Sequence, residues 1–214
     1  MSEVQSAPPR GEIPVVSQLP LEIAASKFRL RPVVVSDGDA LWPHVSNPAL
    51  PKYMSWAPYT DRAALDGFLQ NQVDGLAAGT YINWAIEIAG QASGLITLGG
   101  IRWQLSTDWR IDRAELGYWI GEPYWNQGYM SEAALHVTKF GFETLGLHKI
   151  TVGYMDGNEP SKRIIEGLGF RYIGLHLEDA WKHGAWQHHH RYELTSGEWG
   201  DSARTLRFSK PRRP

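Results

Sequence analysis

The feature that most restricts the fold lies between Ala114 and Ala133. An alternating run, Ala114-Glu-Leu-Gly-Tyr-Trp-Ile-Gly121, passes through Glu122-Pro123 into Tyr124-Trp-Asn-Gln-Gly-Tyr-Met-Ser-Glu-Ala133, where helical spacing takes over. Alternation marks a half-buried strand, and apolar residues at three-four spacing mark a helix packed along one face. Met130, Ala133, Ala134, Val137, Phe140 and Gly141 form that stripe over residues 128–145, and Gly146 supplies a left-handed stop. A turn this short sets the start of a long helix beside the end of a strand.

The remaining periodicities extend the pattern. Residues 28–35 alternate and stop at Ser36-Asp37-Gly38-Asp39, a helix-start cluster ahead of Ala40, Leu41, His44 and Val45. Thr60 or Asp61 caps a second helix, with Ala64, Leu65, Phe68, Leu69, Gln72 and Val73 on one face. Residues 83–88 and 93–103 read as strands joined at Ala89-Gly90-Gln91, and 114–121 as a third. After the long helix come a strand at 149–154, a short helix at 159–168, and strands at 170–177 and 186–194. Adjacent strands interrupted by helices predict an α+β fold, a mixed sheet with helices on its faces, and not a doubly wound parallel sheet.

Composition narrows the possibilities further. Pro8, Pro9, Pro14 and Pro20 predict a flexible arm over residues 1–20, with one domain expected over 21–198 and a basic tail over 199–214. With 21 Lys+Arg against 23 Asp+Glu the net charge is −2, which argues against a nucleic-acid footprint or a membrane-binding surface. No run approaches the roughly 18 apolar residues of a membrane span. The polar N-terminus lacks a signal-peptide core, so a cytoplasmic location is expected. The chain has no Cys, which excludes disulfides, thiolate metal sites and Cys nucleophiles together. Against that stand 10 Trp, 9 Tyr and 6 Phe, enough for a generous core or a stacked pocket. His188-His189-His190 is the one metal-like tract, but on a strand His188 and His190 take one face and His189 the other, so no metal is expected.

Two stretches carry chemistry. The helix start near Gly128 offers outward N–H groups, from about Gln127 to Ser131, with the positive end of the helix dipole behind them. That arrangement binds phosphate or pyrophosphate, and Gly128 keeps a Cβ from holding the anion off. Taken alone, a glycine at a helix start is an ordinary turn signal. Thirty residues on, Asn158-Glu-Pro-Ser161 forms a capped helix start, and Gly169-Phe170 ends that helix.

Together these motifs resemble the GNAT superfamily of acyl-CoA-dependent N-acyltransferases, in particular the branch that acetylates ribosomal-protein N-termini (RimJ/RimL type). The resemblance runs over residues 25–197 and rests on Phe28-Arg-Leu-Arg-Pro with Ser36-Asp37, on Ala114-Glu-Leu-Gly-Tyr-Trp-Ile, on Tyr124 to Ala133, and on Asn158-Glu-Pro-Ser161 with Gly169-Phe170. It implies a mostly antiparallel sheet with a splayed pair of strands and helices on both faces. The strand through Tyr118, Trp119 and Ile120 would pair with the pantetheine arm of acetyl-CoA like an added strand. Asn126, Gln127, Gly128, Tyr129, Met130 and Ser131 would hold the pyrophosphate. Asn158 would bond the pantetheine, and Ser161 would approach the thioester sulfur.

The implied mechanism is direct transfer: a primary amine attacks the thioester and a thiolate leaves, with no metal and no acyl-cysteine. Several positions depart from the superfamily pattern: Trp125 replaces an Arg or Gln, Met130 a small residue, and Ile165 a general-acid Tyr. Ile173-Gly174 stands where the branch tends to carry Glu-Gly. Ser161 is then the expected proton donor and Glu115 the expected base, against the plainer reading of Glu115 as an ion-pair partner of Arg113 or Lys149. Trp42, His44, Tyr53, Trp56 and Tyr59 would border the acceptor groove, and strand residues Trp84, Trp103 and Trp186 would pack. The expected acceptor is a protein or peptide N-terminal amine, and the resemblance is compatible with a homodimer. The alternatives are a small amine (polyamine, amino acid or antibiotic) or a non-catalytic acyl-CoA sensor.

Overall fold

The computed structural model describes residues 12–103 and 109–205. In chain order its elements are β1 (Ile23–Ala24), β2 (Arg29–Pro32), α1 (Gly38–Val45), α2 (Arg62–Ala77), β3 (Ile82–Ile88), β4 (Gln91–Arg102), β5 (Arg113–Ile120), α3 (Tyr129–Glu143), β6 (Lys149–Met155), α4 (Glu159–Gly167), β7 (Arg171–Lys182), β8 (Ala185–Thr195) and α5 (Ser196–Thr205). The strands form one sheet in the order β1-β2-β3-β4-β5-β6-β8-β7. Every pairing is antiparallel except β5 with β6. This is the mixed α+β sheet that the alternation of periods predicts, with β1 and α5 added at its ends.

Helices cover both faces. The α3 stripe of Met130, Ala133, Ala134, Val137, Phe140 and Gly141 is wholly buried, packed with Leu98, Leu116, Ile150 and Val152. On the opposite face, Leu41 and Val45 of α1 and Leu65 and Leu69 of α2 close over Ala85 and Leu95. Asp61 caps α2 by accepting the Ala63 N–H at 2.9 Å. Arg31 fastens β2 to the turn before α1, donating to both Asp37 oxygens (2.9 and 2.6 Å) and to Glu87 (2.6 Å). That guanidinium holds the Glu87 carboxyl below the usual carboxylate range.

The packed body reaches beyond residues 21–198. Val16 is buried in the main core, and Trp199 stacks on Phe142 with 5.7 Å between ring centres. Residues 1–11 and 206–214, which hold much of the expected arm and tail, lie outside the described residues. Trp84 is fully buried as expected, its indole N–H on the Leu21 carbonyl at 2.6 Å and its ring edge-on to Phe140. Trp186 is not: it is 54% exposed. The β6–β8 pairing ends at Met155 and His189, so the outer part of the β7–β8 hairpin leaves the sheet, and Trp186 meets Trp181 edge-on across it.

The site depends on one interruption. β5 pairs with β6 only from Arg113 opposite Lys149 to Leu116 opposite Val152. Beyond that rung β5 runs on to Ile120 beside β4, while β6 runs on to Met155 beside β8. The two strands part, and a gap opens through the sheet.

Trp84→Phe leaves the buried Leu21 carbonyl without its donor and a void beside Phe140. We expect a loss of about 2–4 kcal/mol in urea unfolding at unchanged m-value.

Candidate active site

A cleft of about 1530 Å³ follows this gap, walled by β4, β5 and β6, the segment 49–56, the starts of α3 and α4, and the β7–β8 hairpin. The direction of the β5 backbone is set at its end, where the Gly121 N–H donates to the Ser93 carbonyl of β4 at 2.8 Å. Alternation then turns the odd residues of β5 toward β4 and the even ones toward β6. Tyr118 and Ile120 therefore point main-chain groups into the gap. The Ile120 carbonyl is taken by the Trp125 indole at 2.7 Å.

After β5 the chain makes a short turn and enters α3 through two left-handed residues, Asn126 (φ 59°) and Gly128 (φ 84°). The Tyr129, Met130 and Ser131 N–H groups form the first helical turn, with no intrahelical carbonyl to meet. What these positions offer is backbone. Met130 sends its side chain into the core, Tyr129 packs edge-on to Phe28 and Tyr124, and the Gln127 amide braces the Pro123 carbonyl at 2.7 Å. The larger Met130 thus leaves the outer face of the turn clear. A Cβ on Gly128 would meet nothing within 4 Å, but it would stand in that space on a backbone that L-residues resist.

At the far side of the gap, Asn158 caps α4 by accepting the Ser161 N–H at 3.3 Å. The buried Ser161 Oγ lies 2.8 Å from the Tyr118 hydroxyl. Burial pushes the Tyr118 phenol up to about 12, so it keeps its proton. From sequence, Tyr118 is expected to act through its backbone, and its phenol is not anticipated. The signal was present in the alternation, because Tyr118 shares a face with Leu116 and Ile120. Ile165 carries no donor group and is fully buried in the core.

The odd residues of β5 face the other side of the sheet. Glu115 is paired with Arg191 of β8 at 3.1 Å, and neither Arg113 nor Lys149 is its partner. Lys149 bonds Glu193 at 2.9 Å instead. Arg191 sits opposite Gly153 and its side chain passes over that glycine to reach Glu115, which is opposite Thr151, two residues back along β6. Arg191 also bonds Asp179 at 3.1 Å. His189 lines this wall, its Nδ1 3.0 Å from Asp179 but out of line for a hydrogen bond, and burial lowers its pKa. His190 instead stacks on Tyr154, and His188 accepts the Glu178 N–H at 2.8 Å. Among the described residues no three His, Cys, Asp or Glu side chains converge as a metal set would.

The aromatic group near α1 divides. Tyr53 and Trp56 line the cleft, and Trp56 stands edge-on to Trp119 at 6.1 Å. Trp42 and Tyr59 pack against the α1–α2 core, and His44 covers Gly121 beside Tyr124. Trp119, Trp125 and Ile173 are also on the cleft wall.

A family model described as an acetyltransferase (GNAT) domain matches residues 27–171. The uncharacterized N-acetyltransferase p20 of Bacillus licheniformis is 29% identical over 149 residues, 70% of this chain and 82% of that protein. The ribosomal protein uS5-alanine N-acetyltransferase of Escherichia coli (strain K12) is 31% identical over 84 residues, 39% of this chain and 43% of that protein. Among solved structures, the RimL ribosomal L7/L12 alpha-N-protein acetyltransferase in complex with coenzyme A shares the fold. Its TM-score is 0.73 at 18% identity, covering 81% of this chain and 97% of that one.

Placing a carboxylate over the α3 start, Gly128→Glu, is expected to weaken coenzyme A binding about tenfold or more in calorimetry. Unchanged affinity would remove this helix start from the site.

Proposed function

The chain belongs to the GNAT acetyltransferase family, acyltransferases whose donor is acetyl-CoA, and we propose that it acetylates the N-terminal amine of a protein or peptide by direct transfer. The observation that carries this reading is the gap between β5 and β6, which joins two chemically different sides of one sheet. On one side lie the strand edge of Tyr118 and Ile120, the α3 start and the hydroxyl pair. On the other, a trough runs along β5 from Gly117 back to Arg113, four residues or about 13 Å of strand. A trough of that length accommodates an extended chain. Among the described lining residues Glu115 is its sole carboxylate, which counts against a polyamine.

The donor set fits acetyl-CoA. Tyr118 and Ile120 offer a strand edge to an amide-bearing arm, residues 126–131 offer backbone N–H groups to a pyrophosphate, and Asn158 keeps its amide N–H₂ free of the capping bond. When bound, acetyl-CoA supplies the acyl group as a thioester open to an amine. The Ile120 or Tyr118 N–H donates to the acyl oxygen as charge gathers there. Ser161 Oγ, backed by the protonated Tyr118 phenol, gives a proton to the departing sulfur. Glu115, held by Arg191 at the mouth of the gap, takes the amine proton through a water. Trp119, Trp125 and Trp56 wall the meeting point and limit bulk water. The hydroxyl pair also favours a working enzyme over a sensor, since it replaces the donor that Ile165 cannot provide.

Ser161→Ala and Tyr118→Phe should each lower kcat about a hundredfold with little change in coenzyme A affinity. The double variant should be no slower than the worse single one, because the two hydroxyls act as a unit. Independent, multiplying losses would separate them. Glu115→Gln should lower kcat about tenfold or more with little change in coenzyme A affinity, and an unchanged kcat would transfer the role of base to another group on that wall.

A further inference from the structure

The inner end of the trough carries charge that folding does not explain. Arg102 of β4 and Arg113 of β5 are direct register partners, and both line the cleft. Like charges directly opposite each other on a ladder destabilise it. Arg31, Arg62, Arg171 and Arg191 each face two carboxylates. Among the described residues, neither Arg102 nor Arg113 has a carboxylate within salt-bridge distance.

The backbone is bent to bring the two together. From Gly94 opposite Ile120 to Gly99 opposite Glu115 the β4–β5 register is regular, and continuing it would set Ile101 against Arg113. One extra residue on β4 breaks this register, with Gly100 at φ 57°, and sets Arg102 against Arg113 instead. Without that bulge Arg102 would turn to the opposite face of the sheet. With it, Arg102 joins Arg113 and Glu115 on the acceptor face. Bulges of this kind re-aim side chains, and two guanidinium forks on one rung suit a carboxylate.

We propose that Arg102 and Arg113 form a carboxylate-binding subsite, so that the enzyme selects acceptors carrying an acidic side chain within about four residues of the reacting amine. This rests on the N-acetyltransferase reading. Distance separates the two sources of such a group. A free amino acid holds its carboxylate next to its amine, too short to span the roughly 13 Å from Gly117 to Arg113. An extended peptide reaches it with a Glu or Asp at its third or fourth position.

The test uses the full chain and hexapeptides with free N-termini, matched except for Glu or Gln at positions 3 and 4, with glutamate and glutamine as the small-molecule arm. Thiol release gives turnover, and calorimetry on the coenzyme A-loaded protein gives binding without it. The Glu peptides should show kcat/KM about tenfold or more above their Gln partners, carried by KM. Arg102→Gln or Arg113→Gln should bring that ratio close to one at unchanged coenzyme A affinity, and Arg→Lys should restore part of it. Thiol release without a charge preference, a preference that survives both substitutions, or no binding of any acidic peptide would overturn the subsite. A preference for free glutamate over every peptide would overturn the peptide assignment. Charge-dependent binding without thiol release would uphold the subsite and reject the transferase reading.

Discussion

The structure is organised around a ladder that stops. β5 and β6 share four rungs, and then each strand continues with a partner on one side alone. Main-chain groups left over in a sheet interior need partners, because a buried unpaired N–H or C=O costs as much as a lost hydrogen bond. The fold satisfies one of them itself, with the Trp125 indole on the Ile120 carbonyl. The N–H groups of Tyr118 and Ile120 and the carbonyl of Tyr118 are left facing the gap, as an edge that an extended, amide-bearing ligand can complete. β4 and β8 hold the two arms of the opening in place, so the edge is preformed in a rigid sheet.

The same interruption separates two kinds of chemistry. Even residues of β5 turn toward α3 and α4, where the protonated Tyr118 phenol meets the Ser161 hydroxyl. Odd residues turn toward the uncovered part of the opposite face, where Glu115, Arg191 and Asp179 form an ion-paired row. A period of two along one strand therefore puts the hydroxyl pair on one side of the sheet and the carboxylate row on the other. The α1–α2 pair covers that opposite face only as far as Leu95 and Trp119, which leaves the row open.

What was legible in the sequence is what local spacing encodes. The α3 stripe, the Gly128 turn, the Asp61 cap and the Asn158–Ser161 helix start each depend on residues within a few positions of one another. The structure places them as the periods require. The acceptor side was less legible because its contacts depend on long-range register. Glu115 and Arg191 are 76 positions apart, and they meet because β5 and β8 both flank β6 and Gly153 leaves room for the Arg191 side chain to cross it. The Arg102–Arg113 rung depends on one inserted residue in β4, which alternation alone places on the wrong face. Trp186 is the converse case: its strand pattern predicts packing, but the hairpin outruns its sheet and leaves the ring exposed.

If the open edge of β5 is the binding surface for the donor's arm, amide hydrogen exchange will read that edge residue by residue. In the free protein the Tyr118 and Ile120 amides should exchange faster than those of Gly117 and Trp119, which bond β4. Coenzyme A should slow Tyr118 and Ile120 by about tenfold or more while Gly117 and Trp119 change little. Equal protection of all four amides with and without bound coenzyme A would place the donor's arm elsewhere.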